Sequence, residues 1–185
     1  GVELKILEPD SEGVGEVLAR GPNVMAGYFR NEDATDATMT EDGWLRTGDL
    51  GRLDHKERLV VVGRAKDVVV TATGENIYLD DVEARLGSIP HIDELALVGL
   101  ADGKGGERLG LLAVRSESAV QLNLSGRDPA RGTLRKATEA LPTGFRPTVV
   151  HLVDVSLPRT ATRKVKRREV RDILERIHAA AEATE

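Results

Sequence analysis

The chain contains no cysteine, which excludes disulfide bonds, thiolate zinc sites and a cysteine nucleophile. Aromatic residues make up only 3% of the 185 residues, so the core must be built from the aliphatic side chains that dominate the 40% hydrophobic content. Positive charge is scarcer than negative charge: 26 Lys and Arg face 31 Asp and Glu, and the net charge is -5. Because nucleic-acid binding depends on positive charge, we expect no nucleic-acid partner.

Metal-ligand spacing and long apolar runs are missing as well. The four histidines are scattered, so we expect no metal site built by this chain. No apolar run approaches the ~20 residues that cross a bilayer, and no signal-peptide pattern opens the sequence. We therefore expect a cytoplasmic protein. The start at Gly1, in a strand-like pattern and without methionine, is typical of a fragment of a longer protein.

What is present is a β-rich section followed by a section in which strands and helices alternate. Apolar alternation predicts strands at 2–7, 16–20, 50–53 and 58–62, and a short helix at 31–38 with Asn31 as its N-cap. Further patterns predict strands at 68–71, 94–100, 107–115 and 147–153, helices at 79–86, 129–141 and 167–183, and a mobile loop at 116–127. The predicted fold class is α+β.

A carboxylate next to a glycine is the first candidate for chemistry. Asp49 follows Gly48 at the end of the run Trp44-Leu45-Arg46-Thr47-Gly48-Asp49, which we predict to form a turn. A carboxylate accepts two hydrogen bonds at once, which suits the paired hydroxyls of a ribose. Glycine lets the backbone turn and approach a ligand closely. Taken alone, such an acid is more often a structural turn residue.

A polar element at the end of an apolar strand is the second candidate. Arg64 follows Gly63 and has the planar fork that suits a ribose or a phosphate. Lys66 lies in a polar gap between two apolar runs, where a few residues that absorb a large backbone rotation can form a hinge. Taken alone, such an arginine is more often part of a surface ion pair, and such a lysine is more often part of a solvated charge pair.

A basic segment before the last helix is the third candidate. Residues 158–167 carry Lys164 and Lys166, which can share one side of an extended segment. A lysine ammonium is a compact charge on a long stem, and it suits a phosphoryl oxygen. Because positive charge is unfavourable beside a helix N-terminus, we expect an anionic group nearby.

Together these elements resemble the adenylate-forming superfamily, which includes acyl-CoA synthetases, the adenylation domains of peptide synthetases, and luciferases. Residues 43–49 are similar to its ribose-binding motif, 63–69 to its hinge motif and 74–77 to the loop that follows. Residues 158–167 are similar to its C-terminal Pro-(Lys/Arg)-Thr-x-x-Gly-Lys-x-x-Arg motif. The resemblance runs from about Gly15 to the end of the chain.

The resemblance implies a domain organisation. Residues 1–63 would be a small β-barrel-like piece of a large domain, 64–67 a hinge, and 68–185 a mobile α+β C-terminal domain. The phosphate loop and acyl pocket of the family would precede this region, so we expect the isolated chain to lack ligase activity.

The resemblance also implies roles for individual residues. Asp49 would bind the ribose hydroxyls of ATP, and Arg64 would assist at the same nucleotide. Lys66 would be the pivot of a domain rotation. Lys164 would contact the substrate carboxylate and the α-phosphate during adenylation. After the rotation, a loop containing Gly74 and Glu75 would line the passage of the thiol acceptor.

Two departures from the family pattern affect this reading. The family usually has glycine before its late lysine, whereas this chain has Arg163, which keeps Lys166 as an alternative to Lys164. The stretch 70–74 is one residue longer than in acetyl-CoA synthetases and luciferases, and in this it is similar to long-chain acyl-CoA synthetases.

The resemblance therefore implies part of an ATP-dependent acyl-CoA ligase with ATP, Mg²⁺ and CoA as cofactors. Its substrate would be a long-chain fatty acid or another carboxylate, and the acyl substrate could bring the protein to the periphery of a membrane. Two alternatives stay open. One is an acyl-AMP ligase or adenylation domain that loads a carrier protein, and the other is a non-catalytic binding module.

Overall fold

The computed structural model describes residues 1–103, 105–124 and 126–182. Lys104, one residue of the predicted loop (Ser125) and the predicted last residue of the final helix (Ala183) lie outside these ranges. The chain divides into two compact units, Gly1–Lys66 and Asp67–Glu185.

The first unit is built on an antiparallel meander. Its strands are β1 (Glu3–Leu7), β2 (Gly15–Arg20), β3 (Leu45–Leu53) and β4 (Leu59–Arg64), and each pairs with the next. The sheet is open, with β1 and β4 at its edges, so the piece expected to be barrel-like is an unclosed four-stranded sheet. Its buried apolar side chains are few and include a single aromatic ring: Val14, Val17, Leu18, Trp44 and Val62.

One short helix, α1 (Glu32–Thr38), lies between β2 and β3. The Asn31 side chain accepts a hydrogen bond from the Ala34 amide at 3.1 Å, and Glu32 and Asp33 occupy the first turn. A side-chain acceptor and acidic residues at this end satisfy free amides and favour the helix dipole. The predicted helix and its N-cap are confirmed.

The second unit contains a small hairpin, a mixed sheet and four helices among its described residues. The hairpin is β5 (Val68–Val70) with β6 (Asn76–Tyr78). In the sheet, β7 (Ile92–Ala101) runs antiparallel to β8 (Glu107–Arg115), which runs parallel to β9 (Val149–Val153). The helices are α2 (Leu79–Leu86), α3 (Glu117–Leu124), α4 (Pro129–Glu139) and α5 (Arg167–Glu182).

The mixed sheet is covered on both faces, which explains the nearly continuous apolar character of its strands. Alternate residues of β7 and β8 point to opposite sides. Leu97 and Leu111 pack with residues of α2 and α4 in one cluster, whereas Val98 and Leu112 pack in a second cluster with α5. Four residues of α5 at i, i+3, i+4 and i+7 belong to the second cluster or pack against it: Val170, Ile173, Leu174 and Ile177.

The α+β fold class is confirmed, and two local predictions are wrong. Residues 116–127 do not form a simple loop, because they contain α3, where Ala119 is fully buried and the Ser116 hydroxyl accepts a hydrogen bond from its amide at 3.3 Å. Asp49 does not lie in a turn, because β3 already begins at Leu45 and runs through Asp49.

One turn geometry occurs repeatedly in both units. In each case the first and fifth residues pair through the amide of the first and the carbonyl of the fifth, and the amide of the fourth residue donates to the carbonyl of the first. The first residue is Asp or Thr, and its side-chain oxygen accepts from the amide of the fifth. The fourth residue has a positive φ, as in three-residue hairpin loops that end in a bulge. The described examples are 10–14, 40–44, 54–58, 71–75 and 160–164.

Candidate functional site

Asp49 and Arg64 face each other across the β3–β4 pair. They are register partners, and the Arg64 Nε lies 3.0 Å from the Asp49 Oδ1. The two side chains keep 36% and 45% of their surface exposed, so a ligand could reach both. An ion pair this exposed contributes little to stability. The structure thus brings together two residues that the sequence proposed separately for one nucleotide.

The backbone around Asp49 is held by its neighbours. The Thr47 hydroxyl donates to the Val17 carbonyl at 2.7 Å and accepts from the Asp49 amide at 3.1 Å. Gly48 has φ +69, a conformation that glycine adopts without steric penalty, and a Cβ there would lie 3.6 Å from Arg64 Nη2. The pairing of β3 with β2 is irregular beside Asp49, because Glu16 pairs with Leu50 and Leu18 pairs with Arg46.

Trp44 provides the apolar support of this region. Its ring is buried, with 8% exposed, and the Arg20 guanidinium lies over it at 4.4 Å from the centroid. The Arg20 side chain also pairs with Glu3 at 2.8 Å. A cation over the face of a tryptophan is attracted by the ring. Trp44 therefore acts in packing, although the sequence showed it only as part of a motif.

Lys66 lies in a single 3-10 turn, Ala65–Asp67, that directly follows β4. Its side chain is exposed. The two compact units meet in sequence at this residue, because the first ends at Lys66 and the second begins at Asp67. Rotation of the chain about Lys66 stays a prediction.

Gly74 and Glu75 close the hairpin turn between β5 and β6, and both are exposed. Gly74 has φ +80, which places a residue without a Cβ where the turn requires the left-handed conformation. A neighbouring glycine is needed for a different reason: a Cβ on Gly106 would lie 2.4 Å from the Ala72 nitrogen. The 71–75 turn is thus backed closely by the chain before β8.

Lys164 ends an equivalent turn, 160–164. Its amide donates to the Thr160 hydroxyl at 3.1 Å, and its side chain is exposed. Within the described part of the chain, no side chain forms an ion pair with its ammonium group. The alternative candidate differs, because the Lys166 Nζ lies 2.7 Å from Glu169 Oε1 on the first turn of α5.

The sequence missed a charged cluster centred on Arg167. Its guanidinium donates to Glu83 Oε1 at 2.6 Å, to Asp80 and to the Leu97 carbonyl, and it lies 3.8 Å from Asp67. Only 18% of the Arg167 side chain is exposed. The signal was present, because Arg167 is both the last residue of the 158–167 motif and the first residue of α5.

This cluster holds its charge strongly. Burial opposes the ionised form of Arg167, but the hydrogen bond to Glu83 and the charges of Glu83, Asp80 and Asp67 outweigh it, and the pKa of Arg167 is raised. Glu83 also accepts the Leu97 amide at 2.8 Å. The cluster therefore joins the residue after Lys66, α2, β7 and the start of α5.

The candidate residues fall into two groups. Asp49 and Arg64 belong to the first unit, whereas the turns that contain Glu75 and Lys164 belong to the second. Within the second unit these turns close different hairpins, and among the described residues no hydrogen bond or ion pair joins them. No described helix combines the length and the apolar character that a membrane crossing requires.

Comparison with known proteins relates the chain to carboxylate–CoA ligases. It is 38% identical over 179 residues to indoleacetate–CoA ligase of Aromatoleum aromaticum, covering 94% of this chain and 33% of that ligase. It is 37% identical over 161 residues to 2-succinylbenzoate–CoA ligase of Bacillus cereus, covering 87% of this chain and 31% of that ligase. A shorter match, 45% over 100 residues, covers 54% of the chain and 15% of the Drosophila melanogaster long-chain-fatty-acid–CoA ligase heimdall. No family model matches the chain.

Solved structures agree in fold. ATP-bound MatB from Rhodopseudomonas palustris superposes with a TM-score of 0.77 at 29% identity, covering 96% of this chain and 35% of that one. The amide bond synthetase McbA from Marinactinospora thermotolerans gives 0.72 at 31% identity, covering 92% and 34%.

These matches identify the class: the chain belongs with the AMP-binding acyl-CoA ligases, and it corresponds to a C-terminal portion of them. It spans about a third of the length of the curated relatives that it matches. The recognition made from the motifs is confirmed.

Proposed function

We propose that the chain is the C-terminal part of an ATP-dependent acid–thiol ligase, which forms an acyl adenylate and then a thioester with CoA. The observation that carries this proposal is the state of Lys164. Its ammonium group is exposed at the end of a hydrogen-bonded turn, whereas the neighbouring Lys166 is engaged by Glu169. The backbone of Lys164 is fixed by the turn, and its ammonium group forms no ion pair with a carboxylate among the described residues. Such a group is suited to binding an anionic substrate.

In the adenylation step we assign to Lys164 the role of stabilising the negative charge that builds up around the α-phosphorus. The substrate carboxylate attacks the α-phosphorus of ATP, and the bond to the pyrophosphate oxygen breaks. Lys164 would contact both the carboxylate and the α-phosphate oxygens. A preformed cation at that position stabilises the transition state more than the ground state, which lowers the barrier.

In the same step Asp49 and Arg64 would bind the nucleotide. The Asp49 carboxylate can accept from both ribose hydroxyls, and the Arg64 guanidinium, whose Nε lies 3.0 Å from Asp49 Oδ1, orients it. The residues present fit a ribose, since both are half-exposed on one strand pair. Mg²⁺ is proposed to accompany ATP, where it would neutralise phosphate charge.

In the second step we assign the acceptor passage to Gly74 and Glu75, reached by rotation about Lys66. Gly74 presents a backbone without a side chain, and no atom lies within 4 Å of the position that its Cβ would take. A narrow pantetheine chain could pass there. The proposed domains are 1–63, the hinge 64–67, and 68–185.

The substrate is a carboxylic acid, and a long-chain fatty acid is our specific proposal. The longer 70–74 stretch and the match to heimdall support it, whereas the relatives matched over most of the chain are named for succinylbenzoate and indoleacetate. A carrier protein stays an alternative to CoA as the acceptor. A cytoplasmic location and peripheral membrane contact through the acyl group are part of the proposal.

The test uses the ligase that contains this chain and measures its two half-reactions separately. Lys164→Ala should slow acyl-adenylate formation by ~10²–10³-fold, because one stabilising group is lost. It should leave thioester formation from supplied acyl adenylate almost unchanged. Lys166→Ala is the matched control and should retain adenylation. Unimpaired adenylation by Lys164→Ala would contradict the proposal and favour a non-catalytic module. The isolated chain is expected to release no pyrophosphate above background.

A further inference from the structure

We propose that Arg159 is a positioning residue that fixes the peptide plane from which Lys164 projects; this rests on the function proposed above. Arg159 immediately precedes the 160–164 turn. Its Nη1 donates to the carbonyl oxygen of Arg163 at 2.7 Å, and its Nη2 donates to Glu94 Oε2, also at 2.7 Å. One guanidinium therefore ties the turn to strand β7, on which Glu94 lies.

The contact acts on the peptide bond that joins Arg163 to Lys164. A peptide unit is planar, so its carbonyl and its amide cannot turn independently. The carbonyl is held by Arg159, and the amide, which is that of Lys164, is held by the Thr160 hydroxyl at 3.1 Å. With both ends of the plane bound, the direction in which the Lys164 stem leaves the turn is fixed.

The turn needs this support because of the residue at its fourth position. Arg163 has φ +64, a left-handed conformation that is unfavourable for a residue with a Cβ. Three of the five equivalent turns have glycine there: Gly13, Gly43 and Gly74. The charge-assisted hydrogen bond from Arg159 to the Arg163 carbonyl is made in this left-handed conformation, and we expect it to offset the strain.

The other turn with a side chain at this position shows a similar arrangement. Glu57 has φ +56, and in that turn Arg58 donates to Asp54 Oδ2 at 2.8 Å. In both turns without glycine, an arginine thus bonds to an acceptor within the turn. Lysine would serve less well than Arg159, since it lacks the planar fork that reaches two acceptors in fixed directions.

The first experiment measures amide hydrogen exchange of this chain by NMR. Arg159→Ala should speed exchange at the Lys164 amide by about tenfold, the effect of one lost charge-assisted hydrogen bond, while β7 amides stay unchanged. Adding Arg163→Gly should restore slow exchange, because glycine adopts the left-handed conformation unaided. Arg159→Lys should give an intermediate rate, and Arg168→Ala is the exposed control. Unchanged exchange in Arg159→Ala, or no restoration by glycine, would overturn the proposal.

The second experiment links the plane to chemistry in the ligase that contains this chain. Arg159→Ala should lower kcat for adenylation about tenfold with little change in the KM for ATP, and Arg163→Gly should recover it. Thioester formation from supplied acyl adenylate should not change. If Lys164→Ala leaves adenylation intact, the proposed function fails while the exchange result can still hold. If Lys164→Ala impairs adenylation and Arg159→Ala does not, the positioning role is wrong.

Discussion

Replacing Arg167 by methionine should destabilise the second unit by about 2–3 kcal/mol. Methionine keeps an apolar stem but removes the cation that sits among Asp67, Asp80 and Glu83. Breaking a fully buried ion pair costs about 3–5 kcal/mol, because the partner charge stays behind. The value expected here is lower, since Asp80 keeps 48% of its side chain exposed and Asp67 lies 3.8 Å away.

The chain offers separate probes for the two units. Its one tryptophan, Trp44, lies in the first unit, so its fluorescence reports unfolding there. Helical circular dichroism reports mainly the second unit, which holds α2 to α5. With a urea dependence of about 1–3 kcal/mol per molar, Arg167→Met should move the helical midpoint by roughly 1 M and leave the Trp44 transition in place.

A control and a double variant make this prediction strict. Arg171→Met, one turn further along α5, removes an exposed arginine 3.9 Å from Glu107 and should cost under about 0.5 kcal/mol. Glu83→Gln in the Arg167→Met background should regain about 1 kcal/mol, since it removes one of the repelling charges. A loss below about 0.5 kcal/mol for Arg167→Met, or no coupling to Glu83, would refute the reasoning.

Two further predictions concern packing and pH. Gly106→Ala should destabilise the second unit by roughly 1–3 kcal/mol, because the new Cβ would clash with the backbone of Ala72. Gly132→Ala should stabilise it by about 0.5–1 kcal/mol, because Gly132 lies on α4 with open space at its Cβ position. Urea unfolding of the two variants measures both effects. The hydrogen bond from Arg115 holds the pKa of Asp128 below its ordinary value, so this pair stabilises the fold above about pH 4 and the stability is lost as the pH falls further. Asp128→Asn should therefore lower stability at neutral pH and flatten its decline in acid, and a pH series of thermal melts with an unchanged slope would contradict this.

Local sequence patterns correctly predicted the helices and strands whose apolar periodicity is visible within the element itself. The bounds of α2 and β8 match the predicted ranges, since Leu79, Val82 and Leu86 follow a helical period and residues 109–114 of β8 are free of charged and polar side chains. Helix α3 was missed because its apolar residues follow a weaker pattern inside a polar stretch. Its burial is decided by contacts that local sequence does not contain.

The site was predictable only as a set of separate candidates. That Asp49 and Arg64 would become cross-strand partners depends on the register of β3 and β4, and a one-residue slip would place them on opposite faces. The Arg167 cluster joins Arg167 to Glu83 and Asp80, which lie 84 and 87 positions away along the chain, and no spacing rule covers such separations. The roles assigned to Lys164, Lys66 and Gly74 stay predictions.

The sheet formed by β7, β8 and β9 has an aliphatic layer against each of its faces. A sheet that is closely packed on both faces resists bending, because any deformation would disturb the packing on one face or the other. Val165, directly after Lys164, packs into one of these layers. We therefore expect the Lys164 ammonium group to move over a long distance only when the second unit moves as a whole. The rate of such a movement would then depend on the proposed hinge at 64–67 and not on the 160–164 turn that contains Lys164.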